Sequence, residues 1–401
     1  MESDRRGDQA VYVAVPEPSA QALEYYAVRN SLWAIDLAWG LVVLALFLFL
    51  GWSARIRDFA HRLTRGRVRA ALIYIAVFSL AAALLALPLD FIRGYVVEHR
   101  FGLSDQTVAK WLADHAIAFA VETATTFVSV VVIYALLRRS PRRWWLYAGM
   151  LALPFLFVTF IVEPLWVAPL FNRFGPMKDR ALEAKIAALA DRAGIEGARI
   201  FEVEKSVDTK KVNAYVAGLL GTKRIVLWDT IIARLEEGQL LAVMAHEMGH
   251  YVLRHGQERL LAIWALVVLS LYAAYRACGA LIRRYHARFG FERLDDIASW
   301  PLLSLIAGLV LLVTQPLFNA FTRHLEHEAD RFGLEVTRDN RAMAEAFLRL
   351  QESNLDVPRP NPILHIVRDS HPSLGERIDF ANTYRPWAAG QPLRYGDKFR
   401  Q

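Results

Sequence analysis

Six stretches of the chain are almost continuously apolar, and polar segments of unequal length separate them. Four lie in the first half, at about Leu32–Trp52, Ala70–Leu89, Ala116–Leu137 and Trp144–Phe171. Two follow later, at about Leu260–Ile282 and Trp300–Phe321. Each is close to or above the roughly 20 residues that an α-helix needs to cross a bilayer. The fourth carries Glu163 and Pro164, so a tilted or broken helix is expected there. Met1–Ala22 is polar, holds Pro16 and Pro18 and has no signal-peptide core, which makes the first apolar run the targeting signal.

Between the fourth and fifth runs the pattern changes. Leu182–Ala193 has helical apolar spacing and stops at Gly194. Short β-rich runs follow at Arg199–Val203, Ala214–Leu219 and Arg224–Trp228, the last two separated by a hairpin turn around Gly221. Leu235–Leu253 reads as a helix, and Phe321–Gln351 as a charged amphipathic helical stretch. The segment Pro358–Pro362 interrupts the pattern, and a last helix is expected from Ser373, with Glu376 completing a capping box. No repeat of 20–50 residues is present. The expected organisation is a polar segment over 1–31, a membrane region with four spans over 32–171, and a further domain over 172–401 that includes two more spans. The fold class is mainly α: a multi-span transmembrane helical bundle joined to a domain with a small β-sheet.

Composition strengthens the membrane reading. Of 401 residues, 55% are hydrophobic and 12% aromatic, which excludes a disordered chain, a collagen and a disulfide scaffold. Cys278 is the sole cysteine, so neither an intrachain disulfide nor a thiolate metal cluster is possible. Any metal must be held by His, Asp or Glu. The net charge is +7, carried mostly by arginine. Many of these arginines flank apolar runs, where they meet lipid headgroups, and no nucleic-acid-binding motif accompanies them, so no nucleic-acid partner is expected.

The sharpest chemical signal is His246-Glu247-Met248-Gly249-His250. On a helix, positions i and i+4 share a face, so both imidazoles reach one ion, while Glu247 can hold a water and take its proton. A polar helix turn is the plainer reading, but the apolar run Leu240–Ala245 leads straight into the motif and points to a buried histidine pair that needs partners. A zinc hydrolase also needs a third protein ligand. The metzincin position is Gly256, one residue past His255, so that pattern fails. Arg323–Asp330 offers a carboxylate instead. Glu326 and Asp330 share a helix face, so Glu326 can bind zinc while Asp330 orients a histidine ligand; Glu328 points elsewhere. At about 1.5 Å per residue, both ligand helices keep the metal within roughly 15 Å of one membrane face.

With these motifs in place, the chain resembles the type I CAAX prenyl proteases, membrane-embedded gluzincin zinc endopeptidases. The resemblance runs from about Tyr26 to Arg377 and includes Val97–Gly102, Ala168–Asn172, Asn213–Tyr215, Lys223–Thr230, the zinc motif, Arg323–Asp330, and His371-Pro372-Ser373 with Arg377. It implies a gluzincin-type zinc peptidase domain and a multi-pass protein of the cell membrane. His246, His250 and Glu326 are then the ligands of one Zn2+ and Glu247 the general base. It also implies that Asn213, Ala214 and Tyr215 lie on a strand beside the substrate, where an exposed edge can bind an extended peptide. His371 matches a histidine near the active site and can donate to an oxyanion; alternatively it contacts backbone at the start of the last helix. Arg377 is expected to pair with an acid and position this segment. The implied partners are a membrane-anchored or lipidated protein substrate and the bilayer. The first rival is an HtpX-like quality-control protease without a lipid requirement. The second is a scaffold or transporter with a structural metal site.

Orientation is contested. Arg55, Arg57, Arg62, Arg65, Arg67 and Arg69 follow the first span, and Arg138, Arg139, Arg142 and Arg143 the third. The segment after the second span has only Arg93, Arg100 and Lys110. The positive-inside rule therefore puts the zinc domain outside, whereas the resemblance implies the cytoplasmic side.

Overall fold

The computed structural model describes residues 12–218 and 223–400. The first membrane helix, α1 (Ala20–Phe49), starts well before its apolar run, because the Ser19 hydroxyl accepts the Ala22 amide at 3.1 Å and caps it. Gly51 then adopts φ +66, a left-handed conformation suited to glycine, and turns the chain into a short amphipathic helix, α2 (Trp52–Leu63). This helix was not expected from the sequence, which reads there as an arginine-rich loop. α3 (Arg67–Phe91) continues through a π turn at Ile92–Val96 into α4 (Val97–Arg100). α5 (Val108–Arg139) and α6 (Trp144–Val162) complete the first four spans. The break expected at Glu163-Pro164 is a second π turn, Glu163–Val167, followed by α7 (Ala168–Phe171).

The second domain begins with β1 (Phe174–Pro176), α8 (Arg180–Arg192), β2 (Arg199–Val203), β3 (Ala214–Ala217) and β4 (Arg224–Trp228). Sheet order is β1-β2-β4-β3, with β2 and β4 parallel (Arg199↔Arg224, Val203↔Trp228) and the outer pairs antiparallel. The expected hairpin is the β3–β4 pair; Leu219 and the turn placed at Gly221 lie outside the described residues. β3 is an edge strand. After α9 (Asp229–Arg234) come α10 (Glu237–Val252) and the long α11 (His255–Phe289), which holds the fifth span. The sixth is α12 (Trp300–Thr337), a single helix of 38 residues. The sequence pattern divides this stretch into a span and a charged helix, but nothing interrupts the backbone between them. α13 (Asn340–Asn354), α14 (Pro362–Arg368) and α15 (Leu374–Thr383) close the chain, and the Ser373–Glu376 capping box is present as expected.

Two cores share these helices. The bundle core gathers Phe47, Tyr74, Tyr134, Trp144, Cys278, Phe289 and Leu302. The domain core joins Ile186 of α8 and Ile225 and Leu227 of β4 to Met244 and Met248 of α10 and Phe332 of α12. Each fully buried apolar side chain of the domain core contributes roughly 1.5–3 kcal/mol. α12 belongs to both cores, so it carries residues from the membrane bundle directly to the domain. Among the described residues, six helices are long and apolar enough to cross a membrane.

Candidate active site

α10 starts at a capping box formed by Glu236 and Gln239, and buries Leu240, Ala242, Met244 and Ala245 against the domain core. That burial fixes its rotation and turns His246 and His250 toward α12. Two glycines let the helices approach. A Cβ on Gly249 would stand 3.2 Å from Ala329 Cα, and one on Gly333 would stand 3.1 Å from the His246 amide nitrogen. Gly249 lies inside the histidine motif, and Gly333 lies one turn past Ala329 on the facing helix.

This contact brings together His246, His250 and Glu326, whose candidate ligand atoms all lie within 4.8 Å of one another. The two Nε2 atoms are 3.1 Å apart; Glu326 Oε2 is 3.3 Å from His246 Nε2, and Oε1 is 3.4 Å from His250 Nε2. Glu326 is 1% exposed, and among the described residues its Oε2 has no hydrogen-bond partner despite the nearby imidazole. A buried carboxylate oxygen without a donor, facing two imidazole nitrogens, suits a cation.

The groups behind the ligands are also ordered. Asp330 Oδ1 lies 2.8 Å from His246 Nδ1, which places a proton on Nδ1 and leaves Nε2 facing Glu326. Asp330 is held in turn by Arg377, whose Nε and Nη2 donate to its two oxygens at 2.9 and 2.6 Å. Burial and the Arg377 charge press His246 downward, yet the Asp330 charge and hydrogen bond outweigh them and hold it at about 9. Burial pushes the Glu247 carboxyl up to about 7, with the Glu326 charge adding to the rise and His246 opposing it. A carboxyl near neutrality can both accept and return a proton.

Each sequence-designated residue has a definite place. Glu247, His371 and Asn213–Tyr215 line the same cavity as the three ligand candidates. His371 stands above the cluster, with Nε2 3.4 Å from Glu326 Oε1 and a side chain 60% exposed. Ala214 and Tyr215 are on the edge strand β3, and Asn213 immediately precedes it. Glu328 points away, bonded to Arg331 and to the Tyr395 hydroxyl. Two contacts were not foreseen. His255 Nδ1 lies 2.9 Å from His250 Nδ1, and the Arg259 guanidinium donates to Glu326 Oε1. Both depend on Arg254, which adopts φ +62 and starts α11 at an angle that returns its first turn to the site.

The sequence profile of peptidase family M48 matches residues 176–385, which include every residue of this cluster. The chain belongs to peptidase family M48. A second profile, the CAAX prenyl protease N-terminal region with five membrane helices, matches residues 15–173. The uncharacterized metalloprotease YhfN of Bacillus subtilis is 35% identical over 378 residues, covering 94% of this chain and 88% of that protein. A CAAX prenyl protease 1 homolog of Dictyostelium discoideum is 30% identical over 304 residues, covering 73% and 68%. The crystal structure of S. mikatae Ste24p shares the fold, with a TM-score of 0.76, 22% identity and coverage of 90% of this chain and 87% of that one. An M48 chain with six apolar helices is a multi-pass membrane metallopeptidase, which sets aside the scaffold and transporter reading. Membership also implies a catalytic metal, and the His246–His250–Glu326 cluster suits one.

Proposed function

We propose that this M48 chain is a zinc endopeptidase, with one ion per chain, that cuts membrane-anchored or lipidated polypeptides. The observation that carries the reading is one cavity of about 1140 Å³. On one wall it bears His246, Glu247, His250 and Glu326; on another it bears Leu156 and Phe160 of α6 and Leu260 and Ile263 of α11, all from spans. Hydrolytic groups and membrane helices therefore face a common space.

His246, His250 and Glu326 would hold zinc, which supplies Lewis acidity to the scissile carbonyl and to the attacking water. Glu247 takes a proton from that water as its oxygen bonds to the carbonyl carbon. The same carboxyl returns the proton to the leaving amine as the C–N bond breaks. His371 is placed to donate to the oxyanion. The free edge of β3, with Asn213, Ala214 and Tyr215, aligns an extended peptide by main-chain hydrogen bonds.

The test compares kcat/KM for matched peptides with and without a farnesyl or acyl anchor, using the full chain in proteoliposomes. The anchored peptide is expected to be cut faster, because each buried CH₂ adds about 0.8 kcal/mol to membrane partitioning. Equal values would reject the anchored substrate in favour of HtpX-like cleavage without a lipid requirement. No metal-dependent cleavage of either peptide would reject the hydrolysis itself.

A further inference from the structure

The fourth span, Trp144–Phe171, contains a single charged residue, Glu163. An ionisable side chain in a membrane helix is costly, and where one is kept it faces a partner or a water-filled cavity. Leu156, Thr159, Phe160 and Glu163 follow the i, i+3, i+4, i+7 spacing of one helix face, and all four line the active-site cavity. Glu163 ends this stripe at the point where α6 gives way to the π turn Glu163–Val167. Among the described residues its carboxylate forms neither a hydrogen bond nor an ion pair. An exposed carboxylate therefore stands in the cavity beside an apolar wall and takes no part in the metal cluster.

The neighbouring wall is the edge strand β3. Its last residue, Ala217, pairs with Arg224, and Arg224 Nη1 donates to the Pro164 carbonyl at 3.3 Å. This end of the sheet therefore touches the π turn. Tyr215 lies near enough to feel the acid: burial pushes its hydroxyl up to about 12, and the Glu163 charge adds to the rise while Arg224 opposes it. Side chains alternate along a strand. Ala214 and Val216 pack into the domain core, so Tyr215 and Ala217 occupy the other face, the one that Glu163 adjoins. A peptide paired with β3 places on that face the side chains opposite Tyr215 and Ala217. No residue of Ala214–Ala217 is charged, so Glu163 alone sets the electrostatics that such a side chain meets along the strand.

We infer that Glu163 is a specificity residue that receives a lysine or arginine side chain of the bound polypeptide, a few residues from the bond that is cut. The inference deepens the proposed function and rests on it, because it needs a peptide lying along β3. A carboxylate that lacks a protein partner and sits beside apolar surface forms a strong, charge-assisted hydrogen bond with such a cation. At about 3.4 Å per residue, Ala214–Ala217 extend over roughly 10 Å, which keeps the cation within about four residues of the cut. Only every second position of the peptide turns its side chain toward Glu163, and the positions between face the core. The substrate class narrows to anchored polypeptides with a basic residue close to the cleaved bond, and an acidic residue at the same position is repelled.

The test uses the full chain in proteoliposomes and an anchored peptide carrying lysine, norleucine or glutamate at each position near the cleaved bond, with mass spectrometry of the products to fix which bond is cut. At one position, or at two positions spaced two apart, kcat/KM is expected to be about tenfold higher for lysine than for norleucine, and lower again for glutamate. Glu163→Gln, which keeps the shape of the side chain, is expected to bring the lysine-to-norleucine ratio close to one, and Glu163→Lys to favour glutamate. A lysine preference that is absent at every position, or that persists in Glu163→Gln, overturns the inference. A second measurement needs no turnover: fluorescence anisotropy of the same peptides on Glu247→Gln protein is expected to show the same preference, and equal affinities overturn the inference. Failure of metal-dependent cleavage with every peptide would refute the proposed hydrolysis, whereas a lysine preference in binding that Glu163→Gln abolishes would leave the acidic subsite standing.

Discussion

Glu326 and Glu328 lie two residues apart on α12 in very different surroundings. Glu326 faces two imidazoles with one oxygen unbonded, whereas Glu328 anchors the C-terminal segment through Tyr395 and Arg394. Glu326→Ala is therefore expected to lose most bound zinc and activity, measured by metal analysis of purified protein. Glu328→Ala keeps the metal but lowers stability by about 1–3 kcal/mol, the cost of leaving buried partners unpaired, read from denaturant unfolding. Metal loss in the second variant alone would reverse the assignment. Glu247→Gln retains metal and fold and loses roughly 10²–10⁴-fold in kcat, because it removes only the proton acceptor; near-normal turnover would exclude Glu247 from the reaction. The local part of the site was legible in sequence, since the i, i+4 spacing of His246 and His250 and of Glu326 and Asp330 dictates shared helix faces. His255 and Arg259 were not legible. Their approach depends on the left-handed Arg254 between α10 and α11, and arginine gives no sequence signal for that conformation.

At the scale of elements, the contact between α10 and α12 governs the metal cluster, and Gly249 sets its closeness. A methyl group there would stand 3.1 Å from Phe332 Cβ and 3.2 Å from the Ala329 backbone, neither of which can move without shifting α12. Gly249→Ala is expected to cost about 1–3 kcal/mol of stability through overpacking and to weaken zinc binding by separating the ligand helices. Unfolding curves and metal titration together check this; unchanged values for both would show that the helices tolerate a wider spacing. Span centres were readable from hydropathy, but their ends were not. α1 begins twelve residues before its apolar run, because Ser19 caps a polar first segment packed through Tyr25 against Phe101. α2 escaped notice because its buried face consists of Ser53, Ala54 and Ala60, too small a set to stand out among arginines. The π turn at Ile92–Val96 holds no proline of its own, unlike the one at Glu163–Val167, and Pro88 lies a full turn earlier.

At the scale of the whole molecule, bundle and domain share α12 rather than meeting across a flexible linker. Its 38 residues span roughly 57 Å, from the arginine-rich end to beyond Glu326. His246 and His250 belong to α10, which packs in the domain, whereas Glu326 is fixed to a rod whose other half lies among lipid. The thickness of the bilayer thereby becomes an input to catalysis. A membrane thinner or thicker than the apolar length of the bundle is accommodated by helix tilt, and tilting α12 moves Glu326 relative to the histidines. In vesicles of increasing acyl-chain length, kcat/KM for a soluble peptide is expected to pass through a maximum, whereas a domain insulated from the bundle would give a flat profile. The bilayer would then act as a mechanical effector on the geometry of the His246–His250–Glu326 cluster.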